Sequence, residues 1–466
     1  MTTATDIPEF DPALIARYDV PGPRYTSYPA ATHFHSGFGE ADLREAIERS
    51  NDGAGAKPLS LYVHVPFCTS PCFYCGCNRI ITRDIGRADD YLEYLYREIA
   101  LVAGLFDPGR PVRQLHFGGG TPNFLDIPRM AALMERLAAH FHFDVPDKRE
   151  FGIEIDPRFA DGDYIRGLGA LGFNRISVGI QDFDPEVQQA VNRIQSVAQT
   201  REVLEAAREA GFESSSVDLI YGLPRQTMVG FARTLEEVIA LAPNRVAVYG
   251  YAHLPNLFKA QRQIDASDLP DAATRLQLFG SALRRLTDAG YVYVGMDHFA
   301  REDDELVAAQ RSGTLQRNFQ GYSTHGECDI VGLGVSAISR IGDSYSQSAR
   351  DLPGYYLALD AGRLPVVRGI WLDRDDLLRR AVIGELMCHG GIDRAGFGAR
   401  HHLRFDDYFA DDLERLHPLA DDSLVELSTE RIQVTARGRL LLRNIAMCFD
   451  VHLAREAPAV HYSRAI

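Results

Sequence analysis

The sequence predicts an α/β protein: a partial (β/α)6 barrel of parallel strands, with an N-terminal arm and a small, mainly helical C-terminal domain. From residue 59, short runs rich in β-branched residues alternate with longer helical patterns, and repeated strand–helix units are typical of parallel βα structure. Glycine and polar residues follow each strand, at the edge where β/α barrels carry their active sites. These two observations predict both the fold class and the location of the site.

Six segments are predicted to be strands, with amphipathic helices between them. Right-handed crossovers would wind them into a barrel or an open doubly wound sheet, and the residues at the strand ends favour the barrel. The predicted strands are Leu59–Pro66, Val112–Phe117, Glu150–Ile155, Arg175–Ile180, Ser215–Tyr221 and Arg245–Tyr251. The clearest predicted helices are Ala88–Phe106, Ile127–Phe141, Val197–Ala210 and Met228–Leu241.

The 466 residues exceed one ordinary core, so two or three domains are expected. Residues 1–55 are predicted to form an arm and a short helix over the barrel mouth. Residues 56–365 should form the barrel and its extension, and residues 366–466 a C-terminal helical domain with the pattern of a winged helix. Its predicted elements are helices at Asp373–Met387, Phe405–Leu416 and Gly438–Leu453, and a hairpin of Leu424–Leu427 with Ile432–Thr435.

Composition and charge exclude several classes of protein. The net charge of −15 argues against nucleic-acid binding, which depends on neutralising phosphates, and this also weighs against a DNA-binding role for the C-terminal domain. No run approaches the roughly 18 apolar residues of a membrane span. The first residues lack the basic and apolar regions of a signal peptide. We therefore expect a cytoplasmic protein without a membrane span.

Three cysteines, Cys68, Cys72 and Cys75, follow the first predicted strand with the spacing of an iron–sulfur cluster that is one ligand short. A cubane cluster normally takes four thiolates, so three would leave one iron open, as at catalytic metal sites. Structural zinc is the alternative, but it needs a fourth ligand. Cys77 is the only nearby fourth cysteine, and the sequence has no second CxxC pair. Cys77 also lies too close to Cys75 to serve as a ligand of the same cubane. The scattered cysteines are expected to be buried small side chains: Cys328, Cys388 and Cys448.

Two further features lie at the same predicted edge. Gly118, Gly119 and Gly120 follow the second strand, where residues without Cβ allow a ligand to approach the backbone, or simply allow a tight turn. Glu154 ends the third strand, where it could bind a ribose diol or pair with an arginine. Both alternatives remain open at this level.

The Cys-x-x-x-Cys-x-x-Cys loop and the glycine run resemble those of the radical S-adenosylmethionine (SAM) enzymes. More narrowly, nearly the whole chain resembles the oxygen-independent coproporphyrinogen III oxidases. The segments that carry this resemblance are Gly22–Pro29, the Cys75-Gly76-Cys77 triplet, Gly295–Arg301, Arg317–Tyr322 and Gly334–Ser339. One mild departure is Phe117, where tryptophan can stand; both residues are apolar.

The resemblance implies roles for individual residues. Cys68, Cys72 and Cys75 match the ligands of a 4Fe–4S cluster, and Cys77 matches a cysteine that is not a ligand. The family binds two SAM molecules. Positions matching the site of the SAM on the open iron are Tyr62, Tyr74, Gly119, Glu154 and Ile338. Positions matching the second SAM site are Gly120, Thr121, Gln181, Arg193, Asp218 and Ala252.

The implied reaction converts two propionate side chains of coproporphyrinogen III to vinyl groups, giving protoporphyrinogen IX. The reduced cluster would cleave SAM to a 5′-deoxyadenosyl radical, which takes a hydrogen that no side-chain acid or base could remove. The alternative is a heme-binding, chaperone-like relative that keeps the cluster without decarboxylating. The implied partners are the tetrapyrrole substrate and an electron donor such as a flavodoxin or ferredoxin, and a monomer is expected.

The substrate carries four carboxylates, so arginines should contact it. We hypothesise that Arg24 and Tyr25, on the arm, help to hold or enclose it, although the same segment could be a surface turn. His298, Arg301 and Arg317 are weaker candidates.

Overall fold

A single large sheet organises the computed structural model, which describes residues 8–52, 56–453 and 462. The predicted boundary at residue 55 and the first seven residues lie outside these ranges. Numbering only strands of three or more residues, the strands are β1 Leu59–Val65, β2 Pro111–Gly119, β3 Glu150–Ile155, β4 Arg175–Gln181, β5 Ser214–Tyr221, β6 Arg245–Gly250, β7 Tyr291–Gly295, β8 His298–Arg301, β9 Gln316–Asn318, β10 Gly321–Ser323, β11 Asp329–Leu333, β12 Ile338–Ile341, β13 Ser344–Ser348, β14 Val366–Trp371, β15 Gly391–Asp393, β16 Val425–Leu427 and β17 Arg431–Val434.

The order of strands in the main sheet is β7-β8-β6-β5-β4-β3-β2-β1-β11-β12-β13-β14. Strands β1 to β6 are parallel neighbours in chain order, as the six βα repeats predict, and β11 adds a further parallel strand beside β1. Antiparallel strands extend both edges. The path between β7 and β14 does not close in the described chain, so the prediction of a partial barrel is confirmed.

The helices are α1 Pro12–Tyr18, α2 Glu40–Asn51, α3 Gly86–Ala103, α4 Ile127–His140, α5 Gly162–Ala170, α6 Pro185–Ala190, α7 Val197–Glu209, α8 Met228–Leu241, α9 Ala272–Asp288, α10 Glu305–Ser312, α11 Leu352–Asp360, α12 Arg374–His389, α13 Arg394–His401, α14 Phe405–Tyr408, α15 Ala410–Asp421 and α16 Leu442–Met447. Side-chain caps fix several starts: Asp126 accepts from the Arg129 N–H, and Ser196 forms a capping box with Gln199.

Burial explains why the six strands form the core. In β1 every residue except Tyr62 is buried, which is typical of a parallel strand covered on both faces. Leu61 and Val63 are fully buried, and each such side chain stabilises the fold by about 1.5–3 kcal/mol. Polar residues lie at both ends of these strands: Ser60, Gln114 and Glu150 are hydrogen-bonded to one another near the starts, and Glu154, Gln181 and Asp218 lie near the carboxyl ends.

Two predicted C-terminal helices are wrong in extent. The segment from Phe405 to Leu416 is two helices, α14 and α15, with a break at Phe409. The segment from Gly438 is a 3₁₀ turn followed by α16, which ends at Met447. The chain leaves α16 here because the Asp450 carboxylate turns inward to accept a hydrogen bond from Tyr25 at 3.0 Å.

The C-terminal part contains a three-stranded antiparallel sheet, β15-β17-β16, that includes the predicted hairpin. Its hydrophobic core also takes up Leu14, Tyr25 and Tyr28 from the N-terminal arm. The arm is thus anchored on the C-terminal helices. No helix among the described residues has the length and apolar character needed to cross a membrane. The domain limits given above remain a prediction.

Candidate active site

The cysteine loop follows β1 and is folded around one arginine. The guanidinium of Arg79 donates to the carbonyl oxygens of Cys72 at 3.1 Å, Cys75 at 3.1 Å and Cys77 at 3.4 Å. Downstream of the strand, Phe67–Cys68 pairs with Ile80–Ile81 and closes the base of the loop. These hydrogen bonds hold the backbone of the cysteine loop in shape.

Each cysteine thiol of the loop has a polar neighbour. The Cys68 Sγ lies 3.2 Å from the Thr121 hydroxyl. Arg158 and Arg193 place guanidinium nitrogens 3.5 and 3.6 Å from the Cys72 Sγ. The backbone N–H of Cys77 donates to the Cys75 Sγ at 3.4 Å. Guanidinium and N–H donors stabilise thiolates, which are the form that binds metal.

The donor set fits an iron–sulfur cluster better than one metal ion. Among the described residues, one group of three metal-ligating side chains has all its ligand atoms within 4.8 Å of one another, namely His325, Glu327 and Cys328. The thiols of the cysteine loop do not form such a compact group. A wider spread of three thiols suits a cubane with several irons. Cys77 is exposed, and its N–H and its thiol both hydrogen-bond to the Cys75 thiol, consistent with a residue that is not a ligand.

The glycine run after β2 lies against the cysteine loop. Gly119 has φ +114°, and a Cβ there would lie 2.7 Å from the His64 ring. A Cβ on Gly120 would lie 2.8 Å from the Pro66 carbonyl. Only glycine can occupy these positions, so the run is a close-approach segment and brings Thr121 to Cys68.

Glu154 stands at the end of β3 beside two aromatic residues. The His116 Nε2 is 3.4 Å from its carboxylate, and the Tyr62 ring stacks on His116 with centroids 6.1 Å apart. Within the described residues Glu154 has no arginine partner, which disfavours the alternative raised from the sequence. The side chain is 46% exposed, so this carboxylate faces open space at the barrel mouth.

Arg193 connects the residues predicted for the second SAM site to the cysteine loop, through its contact with Cys72. It pairs with Asp156 at 3.0 Å and donates to the Gly179 carbonyl at 2.6 Å. Its Nε has no hydrogen-bond partner in the described structure although it is buried. Gln181, at the end of β4, has the positive φ of 68°, which is unusual for a residue with a side chain.

Asp218 is a second carboxylate of the mouth. Its hydrogen-bond partner is the Ser177 hydroxyl at 3.4 Å. Burial raises its pKa to about 7, and the nearby negative charge of Glu154 adds to the rise. Asp218 is partly buried and has no arginine partner in the described residues, which favours a ligand-binding role because structural carboxylates are normally paired.

Tyr74 and Ala252 are joined through one glutamine. The Gln261 side chain donates to the Tyr74 carbonyl at 2.9 Å and to the Ala252 carbonyl at 3.2 Å. The cysteine loop is therefore tied to the segment that follows β6. On the opposite side of β1, Ile338 begins β12.

A buried carboxyl group, that of Glu98, binds the segment of chain that precedes Ile338. Glu98 of α3 accepts 2.6 Å hydrogen bonds from the Gly334 N–H and the Tyr355 hydroxyl. Tyr91 accepts from the Val335 N–H at 3.1 Å and donates to the His64 carbonyl at 2.7 Å. This network holds the segment before Ile338 against the start of the cysteine loop, and the sequence analysis missed it.

Arg24 and Tyr25 of the arm point in different directions. Arg24 forms an ion pair with Asp297 and lies over the Tyr249 ring, 5.6 Å from its centroid, beside the end of β6. Tyr25 is buried in the C-terminal core against Asp450. Arg24 alone therefore faces the barrel mouth.

Arg317 and His298 lie beside Arg24. The Arg317 Nε donates to the Arg24 carbonyl at 3.4 Å, and its buried Nη1 has no partner among the described residues. Burial and the charge of Arg317 lower the pKa of His298 to about 3, so this imidazole is neutral. The buried amide nitrogen of Gln320 likewise has no partner within the described ranges. By contrast, Arg301 is exposed, and its backbone N–H bonds to the Asn244 carbonyl just before β6, at the opposite edge.

A parallel βα core with a three-cysteine loop at the end of its first strand defines a radical SAM protein, and the Radical SAM superfamily model matches residues 62–238. The HemN C-terminal domain model matches residues 372–441. The oxygen-independent coproporphyrinogen III oxidase of Pseudomonas aeruginosa is 50% identical over 448 residues, covering 96% of this chain and 97% of its own. That of Escherichia coli is 49% identical over 458 residues, covering 98% and 99%.

The solved structure of coproporphyrinogen III oxidase (HemN) from Escherichia coli, a radical SAM enzyme, superposes on this chain with a TM-score of 0.91. The two sequences are 48% identical, and the match covers 96% of this chain and 100% of that one. The chain belongs to the oxygen-independent coproporphyrinogen III oxidase family. Members of this radical SAM family work with a 4Fe–4S cluster and SAM.

Proposed function

We propose that this protein catalyses the oxygen-independent decarboxylation of two propionates of coproporphyrinogen III, giving protoporphyrinogen IX. The observation that carries the proposal is the contact of the cysteine loop with residues that follow β2, β3 and β4, in a chain about half identical to such oxidases along almost its whole length. The fixed loop, the close-approach glycines and two carboxylates without an arginine partner in the described residues suit this chemistry. A heme-binding relative without this activity is disfavoured by the names of these relatives.

We further propose that Cys68, Cys72 and Cys75 hold the 4Fe–4S cluster. When bound, the cluster and SAM supply a radical able to take hydrogen from an unactivated carbon. Arg79 fixes the loop backbone, while Arg158 and Arg193 hold positive charge beside Cys72. The protein thus supplies the geometry and the electrostatics of the cluster site.

Two SAM molecules are proposed, as expected from the sequence. Glu154 and Asp218 support this, because each is a separate carboxylate without an arginine partner in the described residues, and each suits a ribose diol or a cationic group. The first set of contacts is Tyr62, Tyr74, Gly119, Glu154 and Ile338. The second set is Gly120, Thr121, Gln181, Arg193, Asp218 and Ala252.

The substrate carboxylates are proposed to bind at Arg24 and Arg317. The buried Nη1 of Arg317 has no hydrogen-bond partner in the part of the chain that the structure describes, and a bidentate guanidinium–carboxylate pair would satisfy it. His298, being neutral, can donate or accept a single hydrogen bond there without adding charge. Tyr25 acts indirectly, because its hydroxyl anchors the arm on Asp450 and so positions Arg24.

We also propose several finer points. Reducing electrons would come from a small carrier such as a flavodoxin or ferredoxin, since the proposed reaction consumes an electron at the cluster. A monomeric, cytoplasmic enzyme is expected. The C-terminal part contributes by anchoring the arm rather than by binding nucleic acid, in keeping with the net charge of −15.

The test is an anaerobic assay of reconstituted protein with coproporphyrinogen III, SAM and a reductant. Vinyl product with CO2 and 5′-deoxyadenosine is the expected result. Tight heme binding without product would favour the chaperone-like alternative, and deoxyadenosine formed only with another substrate would reject the tetrapyrrole. Arg317→Gln should raise the KM for coproporphyrinogen about tenfold while leaving SAM binding unchanged. Arg301→Gln, at an exposed arginine on the opposite edge, is the matched control.

A further inference from the structure

His325, Glu327 and Cys328 form a cluster of metal-ligand side chains far from the cysteine loop. The ligand atoms of these three residues all lie within 4.8 Å of one another. The Glu327 Oε1 is 3.5 Å from the His325 Nδ1 and 3.9 Å from the Cys328 Sγ. Such separations are those of neighbouring donors around one tetrahedral ion, for which metal–ligand distances are about 2.0–2.3 Å.

The cluster sits on a turn that the protein holds in shape. The Cys328 N–H donates to the His325 carbonyl at 3.3 Å, which closes the turn. The Arg340 guanidinium donates to the carbonyls of Gly326 at 3.2 Å and Cys328 at 2.8 Å. A Cβ on Gly326 would lie 1.9 Å from Gln316, so glycine is required for this turn to pack. The three donors are therefore preorganised by bonds that do not involve them.

The turn joins β10 to the start of β11. The next residue, Asp329, donates its N–H to the Pro58 carbonyl at 3.0 Å and pairs with buried Arg110 at 2.7 Å. Ile338 lies beside Gly332, near the other end of β11 and about 13 Å from Cys328 along the strand. This cluster is consequently separate from the proposed active site.

The charges around the cluster permit a cation. Arg113 approaches Glu327 at 3.5 Å but has a closer partner, the Asp144 carboxylate, at 3.1 Å. Glu327 can therefore turn onto a metal without leaving Arg113 unpaired. Its side chain is 43% exposed and that of His325 is 19% exposed, so an ion can enter from solvent, whereas the Cys328 thiol lies on the protein side.

We propose that His325, Glu327 and Cys328 bind one Zn²⁺ ion, with water in the fourth position. A mixed nitrogen, oxygen and sulfur donor set suits zinc rather than Mg²⁺ or Ca²⁺, which take oxygen ligands. On binding, the Cys328 thiol gives its proton to solvent and the resulting thiolate bonds to the metal. The ion links the turn to the start of β11 and carries no redox role.

The test measures zinc in the anaerobic holoenzyme after incubation with Zn²⁺ and exhaustive dialysis. We expect one zinc per chain with about four irons retained. His325→Gln and Cys328→Ser should each lower zinc affinity by at least about 10–100-fold. Removing a residue that only orients a metal ligand already costs this much, and removing a ligand should cost no less. Glu327→Gln should have a smaller effect in the same direction. Cys448→Ser, which removes another buried thiol, should leave zinc binding unchanged.

X-ray absorption at the zinc edge gives a readout that does not depend on the variants. One sulfur with nitrogen and oxygen neighbours supports the proposal. Zinc with three sulfur neighbours and loss of iron means that it has entered the cysteine loop, which overturns the proposal. It is equally overturned if the wild-type holoenzyme retains no zinc, or if the His325→Gln and Cys328→Ser variants, folded by circular dichroism, bind zinc as tightly as the wild type.

Discussion

The buried carboxyl group of Glu98 should make the free energy of unfolding depend on pH, and Glu98→Gln should remove that dependence. Its carboxyl group is 1% exposed, and burial raises its pKa from 4.5 to about 7. In the unfolded chain the group loses its proton above about pH 4.5, whereas the folded protein keeps it until about pH 7. Stability from this group is therefore complete below pH 4.5 and declines as the pH rises through 7.

The expected loss follows from the difference in pKa. One pKa unit corresponds to about 1.4 kcal/mol, so the contribution should fall by about 2.5 kcal/mol between pH 5 and pH 8.5. Glu98→Gln removes this dependence, because the amide oxygen can accept the same bonds from Gly334 and Tyr355 without a charge. The variant should thus gain stability over the wild type as the pH rises.

The assay is urea unfolding of the anaerobic holoprotein at pH 5, 7 and 8.5, followed by circular dichroism. Glu93→Gln, an exposed position of the same helix, is the matched control and should follow the wild-type curve. Parallel pH dependence in Glu98→Gln and the wild type would refute the reasoning. Glu98→Ala should instead destabilise at every pH by about 2–5 kcal/mol and raise the KM for SAM, since the Gly334 N–H and Tyr355 hydroxyl both lose their acceptor.

Three further substitutions test the loop, the glycine run and the core. Gly119→Ala should lower the free energy of unfolding by about 1–3 kcal/mol and weaken SAM binding in equilibrium dialysis, because its Cβ would meet His64 at a positive φ. Cys77→Ser should retain about four irons per chain in iron analysis, since the Cys77 N–H and thiol both hydrogen-bond to Cys75 and a serine hydroxyl can also donate. Arg110→Met should lower the free energy of unfolding by about 3–5 kcal/mol in urea, because buried Asp329 would lose its partner.

Each of these predictions has a control and a contradicting result. Gly211→Ala is the control for Gly119→Ala, because it adds a Cβ at a positive φ of +81° but in open space. If it weakens SAM binding as much as Gly119→Ala does, the collision with His64 is not the cause of the weakening. Iron loss in Cys77→Ser as complete as in Cys75→Ser would make Cys77 a ligand. Arg404→Met removes an exposed ion-pair partner and should change stability by less than about 1 kcal/mol; an equally small effect at Arg110 would contradict the buried-pair argument.

The sequence predicted the local features of the site because they are set by short-range patterns. The spacing of Cys68, Cys72 and Cys75 lies within one loop, and the glycine run follows directly from one strand. Strand limits were also close, since alternation of apolar runs with helical periodicity determines them. The helix predicted from Gly438 was too long, because its end depends on Asp450 reaching Tyr25, a contact between distant parts of the chain.

By itself, the sequence determined the class of fold, the cluster loop and the edge at which the site lies, since parallel βα repeats bring all their strand ends to one side. Only the tertiary structure decided which distant residues meet there. Glu98 contacts Gly334 across 236 residues and Arg317 contacts Arg24 across 293, and neither contact leaves a local pattern. The physical reason is that buried polar groups must find partners wherever packing brings the chain together, so their pairing depends on the whole fold.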